Sequence, residues 1–298
     1  MELLDGKKIL ITGGTGSFGN AFISEVLAKH KPKRLIVFSR DEMKQWEMRK
    51  RFPEIDFFIG DVRDFQRVKR AFYGVDIVIH AAALKIVPTG ESDPLEYIKT
   101  NTMGAANVIE AALEEGVSQV VALSTDKACA PINLYGASKL AADRLFIAAN
   151  AYHRVNGPVF KVVRYGNVMG SRGSVIPLFM SQAPTGRLTV THAEMTRFMI
   201  SLNEAVELVF NALADPVPKI HIPRLPAMKV VDIAATIAPD ANIEFIGIRP
   251  GEKLHEMLDE GYTSNNPERW YQPWELKEWM KLNYGPLQST ITPFSGNS

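Results

Sequence analysis

Two pairs of side chains that can move protons lie close together in residues 124–139, "STDKACAPINLYGASK". Tyr135 and Lys139 are spaced i, i+4, so they share a face if this stretch is helical. A nearby ammonium lowers the pKa of a phenol, and such a tyrosine could take a hydroxyl proton while hydride leaves the same carbon for a nicotinamide. Asp126 and Lys127 form the second pair. By themselves they fit either an acid and a base or a salt bridge at the end of a strand.

Alternating strand and helix patterns surround these residues. Short apolar and β-branched runs, typical of strands buried on both faces, occupy residues 7–12, 34–39, 56–60, 76–82, 119–124 and 160–166. Helical patterns lie between them at 17–30, 41–51, 64–73, 93–115 and 134–155. The alternation predicts an α/β fold with a Rossmann-type doubly wound parallel sheet, in which ligands bind beyond the carboxyl ends of the strands.

The pattern changes after about residue 170, where Pro and Gly become more frequent and the elements shorter. We therefore expect a smaller mixed C-terminal lobe that binds the substrate. The predicted division is 1–168 for the dinucleotide-binding domain, 169–285 for the substrate lobe, partly interleaved with the sheet domain, and 286–298 for a flexible tail. A ligand would lie between the two folded parts.

The composition narrows the class of function. The chain has 298 residues, 46% of them hydrophobic, and a net charge of +1, so no strong basic field favours nucleic acid. The single cysteine, Cys129, excludes an internal disulfide, and no histidines stand at metal-ligand spacing, so we predict no metal site. Neither a signal peptide nor an apolar run of about 20 residues is evident, so we expect no membrane role and a cytoplasmic location.

A glycine-rich loop follows the first predicted strand and opens the first helix. Its spacing, Gly13, Gly16 and Gly19, lets the backbone approach a pyrophosphate at a helix N-terminus. The predicted cofactor contacts in this loop and at the next strand ends are Gly13, Thr15, Gly16, Ser17, Phe18, Gly19, Ser39, Arg40, Asp61, Val62, Ala81, Ala82 and Ala83, together with Tyr135 and Lys139. Arg40 suits a 2′-phosphate and favours NADP, while Asp41 leaves NAD open.

These motifs resemble those of the extended short-chain dehydrogenase/reductases. The strings "GGTGSFG", "FSRDE", "HAAALK", "STDKA", "NLYGASK", "RYGNVMGSRGSVIP", "EMTRF" and "RPGEKLHE" resemble, in order from about residue 5 to 258, those of the inverting UDP-N-acetylglucosamine 4,6-dehydratases of polysaccharide biosynthesis. The resemblance implies a UDP-N-acetylglucosamine substrate, a nicotinamide cofactor and a homo-oligomer. The chain departs from the usual pattern at Ile86, where the family has histidine, and at His192, where it has aspartate.

The resemblance also implies a division of labour between the two pairs. Tyr135 and Lys139 would oxidise C4, and the resulting ketone would acidify the C5 proton. Lys127 would be the C5 base and Asp126 the acid that protonates the departing 6-hydroxyl, which requires a neutral lysine and a protonated aspartate. Thr125 would hydrogen-bond the substrate or Tyr135.

Further residues acquire expected roles through the same resemblance. Asn101 would hold a structural water beside the cofactor. Arginines suit the diphosphate, because their planar fork makes charge-assisted bonds to phosphate, and a carboxylate suits the ribose hydroxyls. The predicted substrate contacts are Lys85, Asn167, Arg172, Ser174, Thr196, Arg197, Arg249 and Glu252.

Two alternatives remain open from the sequence. A UDP-sugar 4-epimerase needs only the tyrosine, the lysine and the cofactor, so it leaves Asp126 and Lys127 without a role, and a retaining 4,6-dehydratase differs in its stereochemistry at C5. A dinucleotide-sensing protein without catalytic activity is the third reading, and the intact Tyr135 and Lys139 speak against it.

Overall fold

The structure, a computed structural model, describes residues 3–152, 157–171 and 173–285. Its strands are β1 (Lys8–Thr12), β2 (Arg34–Ser39), β3 (Asp56–Ile59), β4 (Ile77–His80), β5 (Gln119–Leu123), β6 (Val159–Val163), β7 (Asn167–Val168), β8 (Arg187–Val190), β9 (Thr196–Ile200), β10 (Ile220–His221), β11 (Ala227–Lys229), β12 (Asn242–Phe245), β13 (Met257–Asp259) and β14 (Tyr262–Thr263).

The helices alternate with the strands of the first half and are sparser in the second. They are α1 (Ser17–Lys29), α2 (Glu42–Arg51), α3 (Phe65–Phe72), α4 (Val87–Ser92), α5 (Pro94–Tyr97), α6 (Gly104–Glu115), α7 (Leu134–Ala149), α8 (Val175–Gln182), α9 (Leu202–Ala214), α10 (Val230–Ile237) and α11 (Pro273–Tyr284). A π-helical stretch occupies Ile98–Met103, and short 3-10 turns occupy Asp126–Ala128 and Ala183–Thr185.

The main sheet has the strand order β10-β6-β5-β4-β1-β2-β3, and every pair in it is parallel. The order reverses between β1 and β4, which is where doubly wound folds bind dinucleotides. The prediction of a Rossmann-type parallel sheet is confirmed.

Helices cover both faces of this sheet, which explains why its strands read as continuous apolar runs. On one face, Ile9 and Ile11 of β1 pack with residues of α1 and α9, such as Phe22 and Val209. On the other face, Leu10 belongs to a second core cluster shared with α3, α6 and α7. Because all strands of the sheet run parallel, their carboxyl ends lie along one edge.

The predicted helix over 93–115 is helical from Pro94 to Glu115, with the π-helical stretch in its middle, and the chain breaks just before it. Asp93 precedes Pro94 and has φ −133°, ψ 63°, since a residue before proline is displaced from helical geometry. A helix before the break, α4, was not predicted. The predicted helix over 134–155 ends earlier, at Ala149. There the side-chain amide of Asn150 donates to the carbonyls of Phe146, Ile147 and Phe160, and residues 153–155 lie outside the described ones.

Smaller sheets form the C-terminal part: β11-β9-β7, β12-β8 and β13-β14. They share a core of their own with α8, α10 and α11, which contains Phe179, Leu188, Ile233 and Leu276. The chain also returns to the main sheet after residue 168, since α9 packs on α1 and β10 pairs with β6. The division at 168 stays a prediction, as does the tail at 286–298, which lies outside the described residues. We call the small sheets with their helices and loops the C-terminal lobe.

Candidate active site

Two glycines of the glycine-rich loop lie where the packing leaves no room for a side chain. Gly13 has φ +66°, and a Cβ there would lie 2.8 Å from Cα and N of Ala82 at the end of β4. A Cβ on Gly19 would overlap the carbonyl oxygen of Gly14. Gly16 is the N-cap residue of α1, and no side chain accepts a hydrogen bond from the first amides of this helix. Such amides suit a pyrophosphate, and the predicted contacts of Thr15, Ser17 and Phe18 belong to the same turn.

Arg40 and Asp41, directly after β2, bear on the choice between NADP and NAD. Asp41 caps α2, accepting from the backbone N–H of Lys44 at 2.9 Å and from its ammonium at 2.7 Å. Arg40 is about half exposed, and its Nη1 lies 3.5 Å from Asp61 Oδ2. Arg63 also holds Asp61: burial by itself would raise the pKa of this carboxyl, but the two arginines bring it below its ordinary value. Arg40 is therefore better placed than Asp41 to meet a ligand.

The residues after β4 form the floor beneath the glycine loop. The amides of Ala81 and Ala82 donate to the carbonyl and hydroxyl oxygens of Thr12, at 3.1 and 3.3 Å. Asn101 accepts from Leu84 N at 2.8 Å and donates to Leu84 O and to Ser138 Oγ, at 2.9 and 3.0 Å. This buried amide ties the strand end to α7, a positioning role that the sequence reading did not assign. Its predicted water beside the cofactor stays a prediction.

Tyr135 and Lys139 lie buried on one face of α7, as their spacing predicts. The helix begins at a cap in which Asn133 Oδ1 accepts from Gly136 N at 2.7 Å. Burial raises the pKa of Tyr135 to about 12, against the opposing effects of the Lys127 charge and a hydrogen bond with Thr125. The expected lowering of this phenol pKa is wrong for the structure as it stands, because desolvation outweighs the nearby cation. Burial likewise lowers the pKa of Lys139.

A buried ion pair lies behind Lys139 and was missed by the sequence reading. Asp143 follows Lys139 by one helical turn, and its Oδ2 accepts from Ser124 Oγ at 2.8 Å and from Arg164 Nη2 at 3.0 Å. Arg164 Nη1 also donates to the carbonyl of Leu258 at 3.1 Å. The i, i+4 spacing of Lys139 and Asp143 could have indicated that the two lie on one helix face. Arg164 directly follows β6, and no local pattern connects it with them.

Asp126 and Lys127 stand on a short turn that rests on α7. A Cβ on Gly136 would overlap the carbonyl oxygen of Lys127, so only glycine lets the turn approach the helix this closely. Asp126 is fully buried, and its Oδ1 accepts from the Thr125 hydroxyl at 2.9 Å and from Lys127 Nζ at 3.0 Å. Gly136, the glycine of "YGASK", therefore allows the Asp126–Lys127 pair to lie close to the helix that carries Tyr135 and Lys139.

A second carboxylate reaches Lys127 from the C-terminal lobe. Glu256 is 2% exposed, and its Oε1 lies 3.3 Å from Lys127 Nζ. Burial alone would lower the pKa of Lys127, but Asp126 and then Glu256 raise it well above its ordinary value. The expectation of a neutral Lys127 is therefore wrong for the structure as described, because two anions stabilise the ammonium. Glu256 belongs to "RPGEKLHE", yet no local pattern in the sequence connects it with residue 127.

The C-terminal lobe contributes most of the predicted substrate contacts. Arg197 is 6% exposed; its Nη1 donates to Thr196 O at 2.8 Å, and its guanidinium lies 3.8 Å from Glu252 and 3.9 Å from Glu256. Arg249 is about half exposed and lies 3.9 Å from Glu252. The Thr196 hydroxyl is engaged inside the lobe, since it bonds His255 and Ser264, at 2.8 and 2.7 Å. Arg172 lies outside the described residues.

Lys85 and the two departures from the family pattern lie in different surroundings. The ammonium of Lys85, which follows β4, has a lowered pKa, mainly through burial and then through the charge of Lys127. Of the two departures from the family pattern, Ile86 has an exposed side chain and a carbonyl that accepts from Tyr97 Oη at 2.6 Å. His192 Nδ1 accepts from the backbone of Glu194 at 3.1 Å.

Several residues assigned to the candidate site have a buried polar atom without a hydrogen-bond partner. Buried polar groups are almost always hydrogen-bonded, so an unbonded set indicates where a polar ligand would supply partners. Among the described residues such atoms include Asn167 Oδ1, Ser174 Oγ, Glu252 Oε2, Asp126 Oδ2, Glu256 Oε2 and His80 Nε2. The part of the chain that the structure describes contains no cluster of His, Cys, Asp or Glu able to hold a metal ion and no helix able to cross a membrane.

Comparison with known proteins agrees with this geometry. Residues 9–272 match a family described as polysaccharide biosynthesis proteins. The chain belongs to this family. It is 50% identical over 273 residues, 89% of the chain and 82% of the relative, to a Campylobacter jejuni protein named UDP-N-acetylglucosamine 4,6-dehydratase (inverting). The resemblance to these inverting dehydratases, within the short-chain dehydrogenase/reductase fold, is confirmed.

Other members of the family carry different names. A Rickettsia canadensis protein named UDP-glucose 4-epimerase is 46% identical over 263 residues, covering 85% of this chain and 77% of the relative. Among solved structures, that of Pen from Bacillus thuringiensis superposes with a TM-score of 0.87 at 35% identity, covering 94% of this chain and 99% of that one. The family therefore includes proteins named for both activities that the sequence left open, and the site has to decide between them.

Proposed function

We propose that this member of the family is an NADP-dependent, inverting UDP-N-acetylglucosamine 4,6-dehydratase, a hydro-lyase. The observation that carries the proposal is the pairing of Tyr135 with Asp126 and Lys127 across Gly136. An epimerase has no use for a buried acid and amine beside its tyrosine. The 50% identity to the Campylobacter jejuni dehydratase supports the same substrate.

Nicotinamide dinucleotide chemistry fits the first half of the site. The glycine loop, the uncapped start of α1 and the Ala81–Ala83 floor would hold the dinucleotide, with Lys139 and Tyr135 beneath its reactive end. A nicotinamide dinucleotide held there would supply the acceptor for a hydride from C4 of the sugar and the donor of a hydride to C6. Tyr135 takes the proton of the C4 hydroxyl in a buried position, where the charge of Lys127 and the hydrogen bond with Thr125 lower the pKa of its phenol.

Elimination uses the second pair. Lys127 removes the C5 proton, which the C4 ketone has made acidic, and Asp126 gives a proton to the 6-hydroxyl, which leaves as water. The ammonium and carboxylate of these two groups are 3.0 Å apart. Transfer of one proton from Lys127 to Asp126 therefore produces both required forms, the neutral amine and the carboxylic acid. Hydride return to C6 and a solvent-derived proton delivered to the opposite face of C5, which heavy water would mark as deuterium, give the inverted sugar.

We infer that the diphosphate and uridine lie against the C-terminal lobe. Arg197, Arg249 and Arg172 would pair with phosphate, and Glu252 with ribose hydroxyls. The unbonded Asn167 Oδ1 and Ser174 Oγ lie in the same region and would gain partners from the sugar or phosphate. The homo-oligomer and the cytoplasmic location stay predictions.

Turnover in heavy water tests the proposal. Proton NMR after incubation with UDP-N-acetylglucosamine should show a 6-deoxy-4-keto product with deuterium at C5 and the L-arabino configuration. A 4-epimer formed without loss of water would overturn the dehydratase and support the epimerase reading. The D-xylo configuration would make the enzyme a retaining dehydratase, and no turnover with several UDP-sugars would favour a dinucleotide sensor.

The choice of NADP over NAD rests on Arg40 and has its own test. Because charge-assisted bonds to phosphate contribute about 1.5–3 kcal/mol, Arg40→Gln should weaken NADP binding by about tenfold to a hundredfold and leave NAD binding almost unchanged. Arg34→Gln, at the opposite end of β2, is the matched control. Equal effects of Arg40→Gln on both dinucleotides, measured by intrinsic tryptophan fluorescence, would remove the basis for preferring NADP.

A further inference from the structure

Glu256 has no part in the reaction as described so far, yet the lobe holds it rigidly. Its backbone N–H donates to Ser264 Oγ at 2.8 Å, and its carbonyl accepts from Ser264 N at 2.8 Å. Ser264 Oγ also bonds the Thr196 hydroxyl at 2.7 Å. The residue stands just before β13, 2% exposed. A charged side chain is rarely buried without a task, since desolvation is costly.

Three cations surround the carboxylate. Oε1 lies 3.3 Å from Lys127 Nζ and 3.9 Å from Arg197 Nε, and Oε2 lies 3.9 Å from Lys253 Nζ. Lys253 is itself anchored, donating to the carbonyl of Cys129 at 2.6 Å. Arg197 and Lys253 therefore keep Glu256 paired even when Lys127 gives up its proton.

We propose that Glu256 is a positioning residue for Lys127: Glu256 from the C-terminal lobe and Asp126 from the sheet domain contact Nζ together and hold it where C5 of the bound substrate would lie. This inference rests on the proposed function, in which Lys127 is the C5 base. The role reaches Lys127 from a different lobe and from 129 positions along the chain.

Two carboxylates fix the position of Nζ better than one. Nζ donates to Asp126 Oδ1 at 3.0 Å and lies 3.3 Å from Glu256 Oε1. Asp126 is the neighbour of Lys127 on the same short turn, whereas Glu256 approaches from the C-terminal lobe. With Asp126 alone, the flexible four-carbon stem of the lysine could move Nζ away from C5. When Lys127 gives its proton to Asp126, the neutral amine still has two N–H bonds, and Glu256 stays available as an acceptor for one of them.

The same arrangement has a consequence for the pH dependence. The titratable and charged groups that act on Lys127 are Asp126, Glu256, Arg197, Lys85 and Tyr135. The two carboxylates raise the pKa of Lys127 and Arg197 lowers it. Loss of the charge on Glu256 should therefore lower the pKa of Lys127, so the neutral amine would form at a lower pH.

Two substitutions separate the geometric contribution from the charge. Glu256→Gln keeps an acceptor at the same place without the charge, whereas Glu256→Ala removes both. Glu260→Gln, an exposed glutamate four residues on, is the matched control. Each variant is given UDP-N-acetylglucosamine and NADP in heavy water. Single-turnover absorbance of the reduced nicotinamide reports C4 oxidation, and NMR reports deuterium at C5. Competitive acetylation with mass spectrometry gives the titration of Lys127 without any turnover.

Misplacement of a catalytic group by about 1 Å can cost about a hundredfold in rate, so Glu256→Ala should lose C5 exchange by about that factor. Glu256→Gln should retain C5 exchange within about tenfold and move both its pH profile and the acetylation midpoint of Lys127 down by about one unit or more. C4 oxidation should stay within about threefold of wild type in both. If Glu256→Ala does not fold, the nearly isosteric Glu256→Gln still tests the acetylation shift.

Three outcomes would overturn the inference. Wild-type C5 exchange in Glu256→Ala would show that Lys127 is positioned without it. An unmoved Lys127 titration in Glu256→Gln would show that the carboxylate does not act on Nζ. Equal losses of C4 oxidation and C5 exchange would make Glu256 a general structural residue. Failure of the proposed function is distinguishable from all of these, because wild type itself would then form no C5-deuterated product.

Discussion

Lys139 is buried and Lys127 is partly buried in one candidate active site, yet their pKa values move in opposite directions. Burial lowers the pKa of Lys139, and Asp143 only partly opposes this effect. Two carboxylates raise the pKa of Lys127 above its ordinary value in spite of burial. Because Asp143 is shared with Ser124 and Arg164, it is not fully available to Lys139. Residue type therefore says little about protonation, which the partners decide.

The partners of the two lysines also come from different parts of the molecule. Lys139 lies on α7, and its neighbours Asp143, Ser124 and Arg164 belong to the main sheet and its helix. Lys127 depends on Glu256, which the C-terminal lobe supplies. The carboxylate behind Lys139 thus comes from the dinucleotide fold, although Arg164 also donates to the carbonyl of Leu258 in the lobe, whereas the elimination half takes a carboxylate from the lobe itself.

Removal of the phenol should have the largest effect, because both halves of the reaction need the C4 ketone. Tyr135→Phe should lower kcat by about 10²- to 10⁴-fold, the usual contribution of a proton-transfer group. Neither reduced nicotinamide nor C5 deuterium should appear in a single turnover. The neighbouring buried tyrosine gives the control: Tyr97→Phe loses a hydrogen bond to Ile86 O and should cost less than about tenfold. Ready C5 deuteration in Tyr135→Phe would break the order of the two halves.

Lys127→Met should separate the halves instead of stopping both. The substitution keeps the length of the side chain and removes its proton chemistry, so elimination should fall by about 10²- to 10⁴-fold. C4 oxidation should continue at a rate that falls less, because Tyr135 loses only the charge of Lys127 that lowers its pKa. Reduced nicotinamide should then accumulate in a single turnover, with no deuterium at C5. Lys69→Met, which breaks an exposed ion pair with Glu114, serves as the control. Parallel loss of oxidation and exchange would place Lys127 in the redox half and erase the contrast with Lys139.

The buried ion pair behind Lys139 should matter for stability. Asp143→Asn leaves Arg164 buried without its counter-charge, which typically costs about 3–5 kcal/mol of the free energy of unfolding. Asp56→Asn, which breaks an exposed pair with Arg34, should cost less than about 1 kcal/mol. Urea unfolding of both variants measures the difference. Similar small losses would show that Asp143 is not the anchor of the redox half.

The contrast between the lysines also explains what the sequence could predict. The glycine loop, the strand ends and the Tyr135–Lys139 pair follow from local spacing, and the Rossmann-type sheet follows from alternation, since burial on both faces leaves a legible apolar pattern. Gly136 was visible in "YGASK", but its closeness to Lys127 O depends on tertiary packing. The break at Asp93 was readable from the proline that follows it.

The remainder depends on contacts between distant parts of the chain. Glu256 stands 129 positions from Lys127 and carries no periodic signal. The two-residue strand β10 is too short to show a pattern, and it joins the sheet only through β6. The protonation of Tyr135 and Lys127 could not be derived from residue types. Burial raises the pKa of Tyr135 against the charge of Lys127, and carboxylates from both lobes raise the pKa of Lys127 against burial. Local patterns thus predict which residues share a face of α7, but neither their protonation nor the contacts between the two parts of the chain.

The most delicate test therefore addresses the junction itself. Asn133 has two tasks: its Oδ1 caps α7, and its Nδ2 donates to the carbonyl of Gly251 in the C-terminal lobe at 2.7 Å. Asn133→Asp keeps a good helix cap but places a carboxylate oxygen against that carbonyl, which should push the lobe away. We expect C5 exchange to fall by about tenfold while C4 oxidation changes less than about threefold, because a loosened lobe misplaces Glu256 but not Lys139. Asn133→Ala, which also loses the cap, should weaken both halves in the same single-turnover assays. Equal losses of C4 oxidation and C5 exchange in Asn133→Asp would mean that the lobe also positions α7. Lys127 and Lys139 would then both depend on contacts with the C-terminal lobe.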